Sequence, residues 1–380
     1  MRNFNSIGVA VAGAGFIGPA HVEALKRLGV HITGILARGC AKSEAARQRL
    51  GLPRAYASYD EVLADHDVEA VHLALPNVLH YEFSRRALMA GKHVMCEKPL
   101  ALHASEAYEL AALANKVGLH AGVCYNIRFY PLNLDARARL KKMGRTFSVV
   151  GHYVQDWLLY NTDYNWRVIA REGGMLRAVA DIGTHWMDLI VSMTGLKVDA
   201  VFADLRTVHK VRHRPTGEIK TFAGPSDVAR EPVDIETDDT GCVLLRFKGG
   251  AQGVLWVSQV TAGRKNSLRY EISTEKGALA WNSERPNELW LGHRDKPSEV
   301  FLRDPALLSD LARGYTSYPG GHNEGFPDSF KGCFKAFYLA IASGAATDDV
   351  LYPTFEEGAY EVVLCDAILQ SHREERWVSV

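Results

Sequence analysis

Apolar runs and turn residues alternate along the first third of the chain in a rhythm that predicts strand and helix in turn. Residues 7–12 form a short apolar strand that runs into Gly13-Ala14-Gly15-Phe16-Ile17-Gly18. From 20 to 28 the apolar positions fall at helical spacing, and Gly29 supplies a stop. Residues 31–37 predict a second strand, 41–50 a helix ended by Gly51 and Pro53, and 60–65 a short helix. Strand, helix, strand, helix and strand follow at 70–75, 81–90, 93–97, 105–117 and 119–125. Strands separated by helices imply a parallel sheet covered on both faces.

After Asn126 the pattern changes. Helical stretches at 132–142 and 184–194 give way to extended ones at 147–155, 198–207, 240–247, 253–260, 268–274 and 288–291, with a hairpin turn at Gly249-Gly250. Strands in succession predict an antiparallel sheet and a second domain of α+β class. Residues 209–239, rich in Pro, Gly and charge, read as an exposed excursion, and 330–343 and 355–371 as closing helices. The expected division is an α/β domain over 1–124 and an α+β domain over 125–380.

A length of 380 residues favours two cores over one. Lys+Arg and Asp+Glu both number 44, so no net field attracts nucleic acid or an anionic membrane. The basic run at 210–214 reads as a solvated loop. Cys40, Cys96, Cys124, Cys242, Cys333 and Cys365 form no Cys-x-x-Cys pair and lie mostly in apolar runs. They predict reduced, buried thiols in a cytoplasmic protein, with no metal-ligand spacing. The N-terminal apolar run breaks into glycines by Gly13, which fits a first strand and not a signal peptide. No apolar stretch reaches the ~18 residues that span a bilayer.

Three clusters carry chemistry. In Gly13-x-Gly15-x-x-Gly18, between strand and helix, the first glycine permits the turn, the second admits pyrophosphate to the backbone, and the third lets helix pack on strand. The phosphate then meets the positive end of the helix, alongside Phe16 and Ile17. The acid that binds both ribose hydroxyls in NAD-selective sites is missing: the second strand ends Leu36-Ala37-Arg38-Gly39, with Lys42 and Ser43 close behind. Arg38 suits a 2′-phosphate or the adenine face, so NADP is expected to be accepted; the plain alternative is a surface arginine. Leu75, Pro76, Asn77 and His80 follow a strand at the sheet's C-terminal edge, where ligands bind, although an ordinary turn accounts equally for His80.

Glu97-Lys98-Pro99 ends another strand on that edge, where a lysine can donate to a substrate hydroxyl and stabilise the developing alkoxide. Asp181, His185 and Asp188 share one face if helical, and a carboxylate beside an imidazole suits a general base. The bland reading is an N-cap aspartate with a packed histidine.

The Gly13–Gly18 turn with His21, then Glu97-Lys98-Pro99, Asn126-x-Arg128, Trp166-Arg167 and Asp181-x-Gly183-x-His185-x-x-Asp188, together resemble the glucose–fructose oxidoreductase / inositol dehydrogenase / MocA family over nearly the whole chain. The resemblance implies a Rossmann domain, a second domain with a large open, mostly antiparallel sheet, and a cis Lys98-Pro99 bond. It implies Lys98, Asp181 and His185 at the substrate, beside the nicotinamide of a bound NAD(P). It also suggests Asn126, Arg128, Trp166 and Arg167 as cofactor- or substrate-contacting, with Asn126, Trp166 and Arg167 expected at the cofactor and Arg128 at the substrate. Beside them Glu97, which can hold Lys98 in place, is expected at the cofactor and Gln155 at the substrate. His322 joins them from 318–326, a loop with the composition of a pocket lid, although a surface turn explains it nearly as well. In this family three glycines often precede the aspartate; here Gly173-Gly174 is followed by a longer gap.

The expected activity is hydride transfer between NAD(P) and a hydroxyl-bearing carbon of a sugar, polyol or sugar derivative. His185 takes the hydroxyl proton, Lys98 polarises the oxygen and Asp181 orients His185, or Lys98 and His185 trade roles. Two alternatives stay open: a redox-neutral NAD-dependent glycosidase using the same residues, and a dinucleotide sensor without chemistry. The strand at 253–260 carries Val254, Trp256 and Val260 on one face and Leu255 and Val257 on the other. Together with the resemblance it predicts a homodimer or homotetramer packed through the sheet.

Overall fold

The structure, a computed structural model, describes residues 2–217, 229–344 and 350–380. Strands β1 (Gly8–Ala12), β2 (His31–Leu36), β3 (Ala55–Tyr56), β4 (Ala70–Leu73), β5 (His93–Cys96) and β6 (Ala121–Val123) form a parallel sheet in the order β3-β2-β1-β4-β5-β6. Helices α1 (Ile17–Leu28), α2 (Cys40–Leu50), α3 (Tyr59–Ala64), α4 (His80–Met89) and α5 (Ala104–Val117) connect the strands. Every residue of β1 and β4 is buried, which is why β1 reads as an unbroken apolar run, whereas β4 carries His72 among its apolar residues. Gly29 and Gly51 end α1 and α2 in the left-handed region, as their sequence positions predict. The strand order reverses between β1 and β4, and in such sheets ligands bind outside the carboxyl ends at that point.

The chain continues through α6 (Pro131–Leu140), β7 (Thr146–Val154), α7 (Ala170–Gly173), α8 (Thr184–Thr194), β8 (Val198–Arg206), β9 (Val211–Pro215) and β10 (Arg230–Asp234). Next come β11 (Thr240–Phe247), β12 (Gln252–Ser258), β13 (Ser267–Thr274), β14 (Gly277–Asn282), β15 (Glu288–Gly292), β16 (Glu299–Leu302) and α9 (Asp310–Arg313). The last elements are α10 (Phe326–Ser343), α11 (Phe355–Glu374) and β17 (Val378–Ser379). Nine strands form one sheet, ordered β16-β15-β14-β13-β7-β12-β11-β8-β17, antiparallel throughout except where β12 runs parallel to β7. The large, mostly antiparallel sheet that the resemblance implies is therefore present.

One face of this sheet packs against α8. Trp186 is fully buried there and its Nε1 donates to Arg269 O at 3.0 Å. A Cβ on Gly151 would lie 2.4 Å from that indole nitrogen, so a glycine in mid-strand makes the room for α8 to seat. The opposite face is exposed yet apolar at its centre: Val150 pairs with Val254, and Val254 with Leu244, with Trp256 two residues along the strand from Val254.

Four expectations need correction. The division at residue 124 assigns α10 to the second domain, but the compact units are Met1–Phe129 with Phe326–Val362, and Tyr130–Gly325 with Val363–Val380. The apolar stripe of α10 marks a buried face without naming its partner, and the partner is the first unit: Phe334 lies 4.7 Å from the His21 ring and 4.5 Å from the His72 ring. The excursion at 209–239 is not simply exposed. Its β9 and β10 pair as a hairpin, while residues 218–228 of it lie outside the described residues. Arg212 and Asp239 are fully buried, so the basic run is not a solvated loop either. A charge-rich composition tells which residue types are present, not which of them pair inside. Finally, all six cysteines are free, but Cys40 and Cys242 are exposed.

Asp239 organises that part of the fold. Its Oδ1 accepts from Arg212 Nη2 at 2.6 Å and from Arg177 Nη2, and its Oδ2 accepts the backbone N–H of Val208 at 2.7 Å and of His209 at 3.0 Å. Arg212 also donates to the carbonyls of Leu158, Tyr160 and Asp163. Burial pulls the Arg212 guanidinium down and the neighbouring Arg177 adds to this, whereas Asp239 opposes it. No described helix is long and apolar enough to cross a membrane.

Removing one partner of a buried ion pair strands the other charge. Arg212→Met is expected to cost about 3–5 kcal/mol of stability, read from the urea midpoint. A loss below about 1 kcal/mol would show that Arg177 alone satisfies Asp239.

Candidate active site

The glycine-rich turn has the shape that a dinucleotide needs. Gly13 sits at φ +116°, and a Cβ there would lie 2.0 Å from Ala74 O, so only glycine fits. A Cβ on Gly18 would lie 2.0 Å from Gly13 O, which lets α1 close onto β1. Gly15 meets nothing within 4 Å, leaving its backbone open to a phosphate. Phe16 is exposed, Ile17 half-buried, and the first turn of α1 carries no acidic residue to repel an anion. Arg49 adds a cation that the motif does not announce, its Nη2 donating to Ala14 O at 3.2 Å. These residues fit a pyrophosphate. At the ribose end Arg38 and Lys42 are exposed beyond β2, whereas Ser43 is buried and its Oγ accepts the Ala37 N–H at 2.9 Å.

The carboxyl end of β5 carries Glu97 and Lys98, and the Lys98-Pro99 bond is cis. Lys98 is half-buried. Glu97, expected at the cofactor, is buried with both oxygens engaged inside the protein. Oε1 is 3.0 Å from His21 Nε2, and Oε2 accepts the Lys98 N–H at 3.3 Å. His80 lies at the start of α4 with Nδ1 2.6 Å from Pro99 O and Nε2 2.9 Å from Leu75 O. Burial holds its pKa down, and a neutral ring donates to only one of the two carbonyls. His80 sits between the Leu75-Pro76-Asn77 turn and the Lys98-Pro99 turn and donates to one of them. Leu75, Pro76 and Asn77 themselves are half-buried.

Asn126 and Arg128 face inward. Asn126 Nδ2 donates to Ser329 Oγ at 2.7 Å, and Arg128 Nη1 reaches both Glu357 oxygens at 3.0 and 3.2 Å. Both residues tie the segment after β6 to the C-terminal helices of the same unit, an arrangement invisible at sequence separations above two hundred.

In the second unit Asp181 does not lie on a regular α-helix. Residues Val179–Gly183 form a π-helical turn that leads into α8, widening the turn between Asp181 and His185. Asp181 Oδ2 accepts from Gln259 Nε2 at 2.8 Å, and Oδ1 lies 3.4 Å from Arg167 Nε. Gln259 is oriented in turn by buried Arg177, whose Nη1 donates to Gln259 Oε1 at 3.0 Å. Asp238 anchors this turn, accepting the backbone N–H of Arg177 at 2.5 Å and of Val179 at 2.9 Å. Burial pushes its carboxyl up to about 6 even though these bonds and the Arg177 charge oppose it.

His185 is buried in the first turn of α8, its ring 6.2 Å from that of Tyr153, and Asp188 is buried one turn on. The Arg167 guanidinium covers the Trp166 ring at 4.4 Å. Gln155 Nε2 donates to Asn266 Oδ1 at 2.7 Å, and Tyr153 OH donates to the same oxygen at 2.7 Å. Sequence reasoning missed Arg177, Gln259, Tyr153 and Asn266. Tyr153 stands two residues before Gln155 on the same strand face, a signal that alternation offered.

His322 is exposed in a loop that is fastened down. Buried Arg303 donates to the carbonyls of Tyr318 at 2.8 Å, Pro319 at 2.9 Å and His322, and pairs with buried Glu324 at 2.9 Å. The glycine-rich composition suggested a hinge, whereas the loop is buckled around one guanidinium.

Comparison with known proteins gives this geometry a lineage. Residues 7–125 match the model of the GFO/IDH/MocA oxidoreductase family with an NAD-binding Rossmann fold, and residues 134–280 match the GFO/IDH/MocA C-terminal domain. A levoglucosan dehydrogenase of Pseudarthrobacter phenanthrenivorans is 29% identical over 100% of this chain and 99% of its own. An uncharacterised oxidoreductase of Schizosaccharomyces pombe is 33% identical over 87% of this chain and 85% of its own. A solved levoglucosan dehydrogenase in complex with NADH and L-sorbose superposes with a TM-score of 0.89 at 27% identity, covering 100% of this chain and 99% of that one. An inositol dehydrogenase homologue of Azotobacter vinelandii, complexed with NADH and myo-inositol, shares the fold with a TM-score of 0.87 at 24% identity over 100% of this chain and 99% of that one. With both domains matched and relatives aligned over most or all of its length, the chain belongs to the glucose–fructose oxidoreductase / inositol dehydrogenase / MocA family of NAD-binding oxidoreductases.

Proposed function

We propose that this protein is an NAD(P)-dependent dehydrogenase acting on a hydroxyl-bearing carbon of a sugar, polyol or sugar derivative. The observation that carries the reading is Lys98 at the carboxyl end of β5, on the same sheet edge as the open Gly13–Gly18 turn. The levoglucosan dehydrogenase relatives favour a cyclic, polyhydroxylated substrate. A bound nicotinamide supplies the hydride acceptor or donor. Lys98 donates a hydrogen bond to the reacting oxygen, stabilising alkoxide character as its proton leaves. His185 accepts that proton, and Asp181, steadied by Gln259 and Arg167, sets the electrostatics around the imidazole. Gln155 and His322 hydrogen-bond further hydroxyls.

Lys98→Ala is expected to lower turnover by about a hundredfold or more while NADH affinity stays within a few-fold. The assay offers levoglucosan, myo-inositol, D-xylose and simple glycosides with each coenzyme and follows NAD(P)H. Near wild-type turnover in the variant removes Lys98 from the mechanism. Glycoside cleavage without net NADH would replace the dehydrogenase reading with the redox-neutral one.

The coenzyme reading rests on the end of β2, where no acid follows Leu36 and Arg38 and Lys42 are exposed. NADP is accepted beside NAD. Arg38→Ala is expected to weaken NADP by about tenfold and NAD by clearly less, since a hydrogen bond to a charged group is worth about 1.5–3 kcal/mol. Wild-type protein that binds NAD about a hundredfold more tightly than NADP would refute the assignment of Arg38.

The apolar outer face of the nine-stranded sheet seats a second copy of the chain. Val150 is 43% exposed, Val254 42%, Leu244 41% and Trp256 39%, a contiguous patch of the kind that soluble monomers rarely leave open. Light scattering at micromolar concentration should give a dimer or tetramer, and Trp256→Glu should shift it toward monomer. A wild-type monomer under these conditions would overturn the interface.

A further inference from the structure

Glu97 ends a line of buried polar groups that the chemistry above does not use. Tyr338, His72 and His21 are fully buried, and Glu97 is 8% exposed. Tyr338 OH is 3.0 Å from His72 Nε2, His72 Nδ1 is 3.0 Å from His21 Nδ1, and His21 Nε2 is 3.0 Å from Glu97 Oε1. These residues come from α10, β4, α1 and the end of β5, all within the first unit.

Proton positions along this line follow from its two ends. Burial by itself would raise the Glu97 carboxyl, but the His21 hydrogen bond and the Lys98 charge oppose it and hold the group low. Glu97 is therefore a carboxylate and can only accept, so His21 Nε2 carries a proton. At the other end burial pushes the Tyr338 phenol up, so it keeps its proton, and pushes His72 well below its usual range, so that ring is neutral. A neutral His72 facing a phenol O–H accepts at Nε2 and donates from Nδ1. His21 Nδ1 then accepts, and every bond points the same way, from Tyr338 to Glu97. The contrary direction needs an extra proton on His21 and turns Tyr338 into an acceptor.

We propose that Tyr338, His72 and His21 form a one-directional hydrogen-bond chain whose role is to position Glu97, and through the Lys98 N–H that Glu97 accepts, the catalytic lysine. The chain explains why a histidine on α1 and another in mid-sheet, where a hydrophobic residue would pack as well, are tolerated at full burial. Phe334 packs against both rings and fixes their planes. His21, Glu97 and Cys124 also bring metal-ligand atoms within 4.8 Å of one another, but a metal would have to replace the His21–Glu97 hydrogen bond. The functional part of this inference rests on the proposed role of Lys98; the direction of the chain does not.

The experiment has two arms. Nitrogen-15 NMR of the histidine rings in the full-length protein should show His72 protonated at Nδ1 and bare at Nε2. Glu97→Gln, which can donate to His21, should reverse or mix that tautomer even though residue 97 does not touch His72. In the kinetic arm, His21→Leu is expected to lower kcat by about 10–100-fold, as misplacement of a reacting group does, with NADH affinity little changed. His21→Gln offers an amide donor to Glu97 and an acceptor to His72, and should recover most of the lost rate.

The proposal is overturned by His72 protonated at Nε2 in the wild type, a His72 tautomer indifferent to Glu97→Gln, or stoichiometric metal in the purified protein. Full kcat in a folded His21→Leu variant also overturns it. Because the spectroscopic arm needs no substrate, a wrong assignment of the reaction would leave the tautomer result standing.

Discussion

A carboxylate out of water must be surrounded by donors, and two such carboxylates organise the two units. Leaving one partner unmade costs more than the pair contributes, so each buried acid dictates a shell around it. Glu97 draws His21 onto itself, and with it α1, β4 and α10. Asp239 draws Arg212 from the hairpin and Arg177 from the approach to the π-helical turn. In each unit the residue assigned to chemistry is one step away: Lys98 follows Glu97 in the chain, and Asp181 accepts from the glutamine that Arg177 orients. The groups proposed for the chemistry are held by buried charge, and the apolar core holds the elements that carry it.

The parts of the site that sequence made legible are those whose chemistry is local. A glycine with positive φ at the end of a strand, or a lysine after a buried strand, is set by its own backbone and its immediate neighbours. Gly13, Gly18 and Lys98 stand where their motifs implied. The strand and helix rhythm was legible for the same reason, since burial of β1, β4 and α8 depends on periodicity within one element.

What stayed hidden depends on pairing across distance. The partner of Glu97 is 76 residues earlier, and Asn126 meets Ser329 across a separation of 203. Nothing local distinguishes a basic residue that will be solvated from one that will be buried, and so Arg212 and Arg214, two apart on one strand, differ completely in exposure. The π-helical turn at Val179–Gly183 is also unreadable, because its extra width follows from Asp238 capping it from a distant segment. The glycine-rich loop after α9 shows the converse: its composition suggested motion, while a single buried arginine decides otherwise.

The return of α10 to the first unit has a consequence for biosynthesis. Protein chains emerge amino end first, and domains generally fold as they are completed. Here the nucleotide-binding sheet is finished by β6, yet His72 receives its phenolic donor and the His21 ring its aromatic cover only from α10, after eight of the nine strands of the second sheet have been made. The nascent first unit must wait with two histidines and an apolar seam uncovered. A dinucleotide fold usually regarded as self-contained is, in this chain, completed only after most of the second unit has been made.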